Sequence, residues 1–364
     1  MKLSAHATGF NASWWLPGGH SQTLWPALMR HVRLEARTEQ LELPDGDCVR
    51  LDWLGAGGPV VIVLPGLQGD LRSPYVRGLL RTCQMRGWRG VLLNYRGRVE
   101  PNRKLHSYHC GMTCDLDYLV HHLAHREPGV SIGVVGFSVG ANICLKWLGE
   151  CGRQRQTVPV AAAVGVSAPF HLGVVARKIS RGFSRLYQWH LLRSLHRDVE
   201  RKLAARDGDT GLTRRGLRRL NTFLKFDDRV TGPWNGFAGA EDYYAKTRSD
   251  VLLKHVAIPT LIVNANNDPL VPLHLIPRAD EVSGKVTLEI TDGGGHLGFV
   301  CGRRPWAPQF WLETRIPQFL SSHFDGGANG ACLPPPSPSA MIDSPPPASA
   351  GRALRSCGSI PADT

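Results

Sequence analysis

The stretch VVGFSVGANICLKW, residues 134–147, joins an apolar run to a helical pattern through a single serine. Ser138 is the centre of GFSVG, residues 136–140, which matches the pattern G-x-S-x-G. A side chain on a sharp strand-to-helix turn needs small neighbours two residues away, because strand and helix approach closely there. Ser138 is therefore either a tight-turn residue or an exposed nucleophile, and the β-rich run before it and the helical pattern after it favour a nucleophile.

Short apolar runs alternate with helical patterns on both sides of this stretch. Several runs contain only Val, Ile and Leu without alternation, which is typical of strands buried on both faces of a parallel sheet. The sequence predicts an α/β fold with a mostly parallel central sheet and helices on both faces. The predicted strands are residues 39–43, 49–53, 60–64, 90–93, 132–135, 161–166, 260–264 and 286–290, and the predicted helices are residues 73–86, 112–125, 138–148 and 306–321.

Residues 169–236 interrupt this alternation with helical periodicity, many arginines and no convincing strand. The pattern predicts a helical cap insertion within a domain of residues 1–325, at the end of the sheet where active sites collect. Residues 171–225 contain 14 Lys and Arg against 4 Asp and Glu, a net charge of +10 in a chain whose total is +13. This segment faces an anionic partner or is a basic solvated surface.

Composition bounds the class of protein. A chain of 364 residues with 42% hydrophobic content can bury a substantial core. No apolar run approaches the ~20 residues of a membrane-spanning helix, and the first residues lack the apolar centre of a signal peptide, so a cytoplasmic location is the default expectation. Residues 326–364, rich in Pro, Ser, Gly and Ala, are predicted to be a disordered tail.

The cysteines and histidines outside the loops do not predict a metal site or a disulfide framework. Nine cysteines lie scattered without regular spacing, so we expect reduced thiols. Cys110 and Cys114 have no second pair at zinc-site spacing, and His121 and His125 lack a further ligand nearby, which favours a solvated helix face.

A serine nucleophile needs a base and a group that orients the base, and in this fold they follow in the order serine, acid, histidine. Asp268 comes just after the predicted strand in PTLIVNANNDPLVP, and His296 lies in a glycine-rich loop in VTLEITDGGGHLGFV. Asp292 is a competitor for the acid, but it precedes His296 by only four residues, whereas the orienting acid usually comes from another strand. The alternatives are a turn-capping role for Asp268 and a structural role for His296.

Acyl transfer also needs donors for the developing oxyanion, typically two backbone N–H groups, and losing one costs about 2.7–4 kcal/mol. The residue after the serine, Val139, is the first expected donor. The second is expected in PGLQGD, the loop after residues 60–64, where we nominate Leu67 because Gly66 and Gly69 leave the loop free to turn amides inward. An ordinary glycine turn is the alternative.

These motifs together resemble the YheT-type α/β-hydrolases, relatives of eukaryotic α/β-hydrolase-domain proteins that act on lipid esters. The resemblance implies an esterase or acylglycerol lipase-like enzyme with Ser138, Asp268 and His296 as its triad. Many bacterial relatives have His where this chain has Pro65. The matching stretches are WWLPGGHSQTLWPALMR, LPGLQGD, NYRGRVEPNRKLHSYHCGMTCDL, GFSVGANICLKWLGE, FDDRVTGPWNGFAGAEDYY and GGGHLGFVCG.

The resemblance also implies bracing roles for His20 in GGHSQT and for the turn NYRG, residues 94–97. The alternative for Arg96 is a purely structural ion pair with Asp227 or Asp228.

The leading hypothesis is serine-dependent hydrolysis of carboxylic esters, with lipid or acylglycerol esters as substrates and no metal or organic cofactor. Arginines interleaved with Leu, Phe, Tyr and Trp in RKISRGFSRLYQWHLLRSLHR predict peripheral contact with an anionic membrane. The rivals are a short-chain esterase or thioesterase on soluble substrates and a catalytically silent hydrolase-like protein that binds an anionic surface. Nucleic acid is not an expected partner, because no reader motif accompanies the basic charge.

Overall fold

The computed structural model describes residues 9–205 and 212–324. The predicted tail, residues 326–364, lies outside the described residues. The described part of the chain has no helix with the length and apolar character needed to cross a bilayer.

The centre of the fold is an eight-stranded sheet in the order β1-β2-β4-β3-β5-β6-β7-β8. The two pairings that involve β2 are antiparallel and all others are parallel. The strands are β1 (Arg37–Glu42), β2 (Cys48–Leu54), β3 (Val60–Leu64), β4 (Arg89–Asn94), β5 (Ile132–Phe137), β6 (Ala162–Val166), β7 (Thr260–Ala265) and β8 (Val286–Thr291); a separate hairpin pairs β9 (Val300–Cys301) with β10 (Gln309–Phe310).

Helices cover both faces of the sheet. They are α1 (Gly19–Met29), α2 (Pro74–Met85), α3 (Cys114–Arg126), α4 (Val139–Arg153), α5 (Leu172–Ile179), α6 (Arg185–Ala204), α7 (Arg214–Arg218), α8 (Phe223–Phe226), α9 (Gly232–Trp234), α10 (Ala240–Lys246) and α11 (Leu312–Ser321). Short 3-10 turns cover Gly182–Ser184, Asp250–His255, Leu273–Leu275 and Ala279–Glu281, and a π-helical turn covers Asp227–Thr231.

The uniformly apolar sequence of β3 is explained by its position between two hydrophobic cores. Val60, Ile62 and Leu64 pack into a core with α3 and α4, whereas Val61 and Val63 pack into a second core with α2 and α11. All five side chains are buried because successive residues of a strand point to opposite faces. The predicted mostly parallel sheet with helices on both faces is therefore confirmed.

All eight predicted strands are present, with ends that differ by at most two residues. The prediction of a helix over residues 306–321 was wrong at its start. The helix begins only at Leu312, because Gln309 and Phe310 instead pair with Cys301 and Val300 in the hairpin.

The described residues between β6 and β7 contain helices and turns but no strand. Helices α5 to α9 lie within the range where the sequence predicts a helical insertion, and α10 follows it. We refer to the described residues 172–205 and 212–246 as the cap segment. It begins at the carboxyl end of β6, next to the end of β5 where Ser138 lies.

Candidate active site

The turn between β5 and α4 holds Ser138 in a backbone conformation that few residues adopt. Its φ is 50° and its ψ is −115°, and its N–H donates to the Val166 carbonyl at 2.8 Å. A Cβ on Gly136 would lie only 2.5 Å from the Gly140 carbonyl carbon, and one on Gly140 only 2.6 Å from the Pro65 carbonyl oxygen. The two glycines therefore permit the strained turn that presents the serine hydroxyl at the carboxyl end of strand β5.

The structure brings Ser138, His296 and Asp268 into one hydrogen-bonded row. His296 Nε2 lies 3.0 Å from Ser138 Oγ, and His296 Nδ1 lies 2.8 Å from Asp268 Oδ2. A carboxylate only accepts hydrogen bonds, so Nδ1 carries the proton and Nε2 of the neutral ring is free to accept from the serine hydroxyl. This order of contacts suits a base that removes the serine proton.

Asp268 is fixed by its own turn. Its Oδ1 accepts from the N–H groups of Leu270 and Val271 at 2.7 and 3.0 Å, and its side chain is fully buried. Asp292, the competing acid in the sequence, is exposed and accepts from Asn266 Nδ2 at 2.9 Å. The structure therefore places Asp268, and not Asp292, against His296.

The loop that carries Leu67, residues 65–69, lies beside the serine. A Cβ on Gly66 would be 3.4 Å from Ser138 Cβ. Within residues 9–205 and 212–324, the N–H groups of Leu67 and Val139 have no hydrogen-bond acceptor. Val139 is the first residue of α4, where backbone N–H groups have no partner within the helix, so both nominated amides are available to a ligand.

Three buried tyrosine hydroxyls bind the backbone of this loop. Burial raises the pKa of Tyr75 to about 12 and raises the pKa values of Tyr95 and Tyr108 as well, so all three hydroxyls stay protonated at neutral pH. Tyr95 Oη donates to the Pro65 carbonyl at 2.8 Å, Gly66 N–H donates to Tyr75 Oη at 2.9 Å, and Gln68 N–H donates to Tyr108 Oη at 3.1 Å.

The residues expected to brace the site make the following contacts. His20 Nδ1 lies 2.9 Å from Tyr187 Oη in the cap segment, and its ring packs against Phe183. Three residues after His20, in α1, Thr23 Oγ1 accepts from the backbone N–H of His296 at 2.8 Å. The start of α1 thus contacts both the cap segment and the histidine loop.

The alternative considered for Arg96, an ion pair with Asp227 or Asp228, is wrong. Arg96 binds Asp115 through two of its nitrogens and lies 2.6 Å from Asp45, because it follows β4 on the side where α3 begins. Asp227 instead accepts from Thr231 and Tyr244 inside the cap segment.

Sequence reasoning missed several of these contacts. Tyr75, Tyr108 and Thr23 lie 9, 40 and 273 positions from the residues they bind. Tyr108 and Thr23 fall within stretches quoted above, but those stretches give no sign of their partners. Gln68 is part of the quoted loop motif PGLQGD, but the motif gives no sign of its partners.

Comparison with known proteins identifies the family to which this chain belongs. The model of a protein family with the description alpha/beta hydrolase fold matches residues 59–302 of this chain. YheT of Escherichia coli (strain K12), a protein provisionally named an esterase, is 38% identical over 313 residues, which cover 84% of this chain and 91% of YheT. Phospholipase ABHD3 of Mus musculus is 28% identical over 332 residues, which cover 86% of this chain and 78% of ABHD3.

Among solved structures, an esterase of Pyrococcus furiosus has a TM-score of 0.55 at 17% identity, covering 81% of this chain and 97% of that esterase. At this identity the likeness supports the fold alone. The chain belongs to the α/β-hydrolase fold family and, within it, to the YheT-type hydrolases. The predicted class of enzyme, a hydrolase of the esterase and lipase type, is confirmed by the names of its relatives.

Proposed function

We propose that this protein cleaves carboxylic esters with Ser138 as nucleophile, His296 as general base and Asp268 as the group that orients the imidazole. The observation that supports this most directly is the row of contacts from Ser138 Oγ to His296 Nε2 at 3.0 Å and from His296 Nδ1 to Asp268 Oδ2 at 2.8 Å. The strained turn supports it further, because such conformations persist only where the surroundings over-determine them.

The reaction proceeds in two halves. Ser138 Oγ bonds to the ester carbonyl carbon while its proton passes to His296 Nε2, and the N–H groups of Leu67 and Val139 bind the oxyanion. Collapse of this intermediate breaks the bond to the alcohol, which takes the proton from His296. Water then bonds to the carbonyl carbon of the acyl-enzyme while its proton passes to His296 Nε2. The bond from that carbon to Ser138 Oγ breaks, His296 gives the proton to Oγ, and the carboxylic acid leaves the regenerated serine.

The first experiment compares p-nitrophenyl esters of short to long acyl chains in the native protein and in Ser138→Ala. We expect Ser138→Ala to lose turnover by about 10⁶-fold, as removal of a serine nucleophile does in other hydrolases. Ser167→Ala is a matched control, since Ser167 is buried and also has a positive φ, 53°. Equal turnover in Ser138→Ala and the native protein would contradict the proposal, and no turnover in either would favour a silent binding protein.

We further propose that the substrates are lipid esters presented at an anionic membrane. Phe183, Leu186 and Trp189 are 55%, 49% and 57% exposed on the cap segment, although each is a large apolar side chain. Leu186 and Trp189, three residues apart, lie on one face at the start of α6, and Phe183 lies in the 3-10 turn just before that helix. Arg185 and Arg193 are exposed beside them, with the Arg193 guanidinium 5.5 Å from the Trp189 ring centroid.

An apolar surface bordered by arginines suits the boundary between lipid headgroups and acyl chains. This surface lies close to the proposed triad, because Phe183 packs on His20 at the start of α1, and Thr23 of the same helix accepts from the backbone N–H of His296. The phospholipase name of ABHD3 supports the same substrate class.

Vesicle sedimentation tests this part of the proposal. We expect vesicles that contain phosphatidylserine to bind the protein more strongly than phosphatidylcholine vesicles, and Trp189→Ala to weaken that binding without changing turnover of a soluble short-chain ester. Trp306→Ala, at a tryptophan that is 76% exposed outside the cap segment, is the matched control. Equal binding to both vesicles, with short acyl chains preferred, would favour a short-chain esterase or thioesterase on soluble substrates.

A further inference from the structure

The turn that carries Leu67 has an unusual residue at its third position. Gly69 N–H donates to the Gly66 carbonyl at 2.9 Å, which closes a four-residue turn with Gln68 third. Gln68 has a φ of 61°, a conformation that turns usually assign to Gly or Asn. A larger side chain in this conformation is strained, so its retention needs contacts that only the side chain makes.

Gln68 makes such contacts in two directions. Its Oε1 accepts from Ser194 Oγ, in helix α6 of the cap segment, at 2.6 Å. Its Nε2 donates to Tyr108 Oη at 3.1 Å, and the same hydroxyl accepts the Gln68 backbone N–H. The carboxamide therefore bridges α6 and the tyrosine that holds the peptide group next to Leu67.

A second contact from α6 reaches the same loop. Arg98 Nε donates to the Gln68 carbonyl at 3.0 Å. Arg201 of α6 in turn donates to the Arg98 carbonyl at 2.9 Å, and Asp198 lies 3.8 Å from the Arg98 guanidinium. Ser194, Asp198 and Arg201 follow one another at spacings of four and three, so a single face of α6 contacts the loop and its support.

The consequence concerns the Leu67 amide. The peptide groups on either side of it are bound, by Tyr75 at the Gly66 N–H and by Tyr108 at the Gln68 N–H, while the Leu67 N–H has no acceptor among the described residues. Its direction is thus set by its neighbours. Because Gln68 also binds α6, the position of this helix affects the direction of the Leu67 N–H.

We propose that Gln68 is a positioning residue that couples the docking of cap helix α6, through Ser194, to the aim of the Leu67 oxyanion donor. This inference rests on the proposed function. A docked α6 holds the carboxamide and keeps the donor directed at the reacting carbonyl. A displaced α6 releases the carboxamide, and the strained turn relaxes away from that geometry.

The test compares Ser194→Ala, Gln68→Gly and the double variant with the native protein on a soluble p-nitrophenyl ester. Gln68→Gly deletes the carboxamide where glycine is favoured, so folding is retained even if Ser194→Ala misfolds. Ser180→Ala is the control, because its hydroxyl bonds to the Arg177 carbonyl within the cap segment. Thermal unfolding of every variant is recorded alongside.

We expect kcat to fall about tenfold in each single variant, a partial share of the 10²–10³-fold loss seen when an oxyanion donor is removed. KM should stay within about twofold. The double variant should be no slower than the slower single variant, because both changes break the same link.

A trifluoromethyl ketone supplies a readout that a merely structural role would not move. Ser138 adds to its carbonyl and leaves a negative oxygen at the Leu67 amide, so its inhibition constant should rise about as much as kcat/KM falls.

Multiplicative losses in the double variant, a change in KM alone, or native kcat in Ser194→Ala and Gln68→Gly would overturn the coupling while leaving the proposed function in place. A native protein without Ser138-dependent turnover would overturn both.

Discussion

A methyl group added to Gly140 tests whether the serine turn and the Leu67 loop are as closely packed as the structure shows. The Cβ of Gly140→Ala would lie 2.6 Å from the Pro65 carbonyl oxygen and closer still to that of Leu64. Real Cβ contacts are at least 3.0 Å. Both oxygens belong to the backbone at the end of buried strand β3, so no side-chain rotation relieves the contact.

Two opposing effects decide the sign of this change. Gly140 is the second residue of α4, and alanine favours a helix over glycine by about 1 kcal/mol. Overpacking against a core that cannot yield costs about 1–3 kcal/mol, and the upper end applies to backbone atoms. We expect a net loss of about 2 kcal/mol, which lowers Tm by about 3 °C in a domain of this size.

The same displacement moves Pro65, which precedes the loop of the proposed oxyanion donor, so we expect kcat to fall about tenfold or more. Circular dichroism during thermal unfolding and turnover of a soluble ester measure the two effects. Gly284→Ala is the matched control, since a Cβ there meets no atom within 4 Å. Native Tm and native kcat in Gly140→Ala would refute the reasoning.

Three further changes test other parts of the molecule. Arg96→Met leaves the buried Asp115 carboxylate without its cation, so urea unfolding should show a loss of about 3–5 kcal/mol. Burial raises the pKa of Asp227 to about 6, so between about pH 4 and 6 the folded protein keeps a proton that the unfolded chain has released. The free energy of unfolding should therefore fall as pH rises through this window. Urea titrations at pH 4.5 and 7 should show a smaller fall in Asp227→Asn than in the native protein. Tyr75→Phe leaves the buried Gly66 N–H without its acceptor, so a loss of about 1–3 kcal/mol in urea unfolding, with lower kcat for a soluble ester, is expected.

The sequence by itself determined the parallel sheet and the three candidate catalytic residues, because their signals are local. Uninterrupted apolar runs such as residues 60–64 predict strands buried on both faces. The glycines around Ser138 indicate a sharp strand-to-helix turn, because that turn has no space for a side chain at either position. Asp268 and His296 each follow a strand at the same edge of the sheet, so chain order alone indicated their meeting.

Only the tertiary structure decided which groups hold these residues in place. The sequence does not show whether Asp268 or Asp292 contacts His296, and it does not pair Arg96 with Asp115. The bond between Ser194 and Gln68 joins residues 126 positions apart. Such contacts depend on how whole helices pack against the sheet, so no periodicity or motif around either partner indicates which distant residue it will meet.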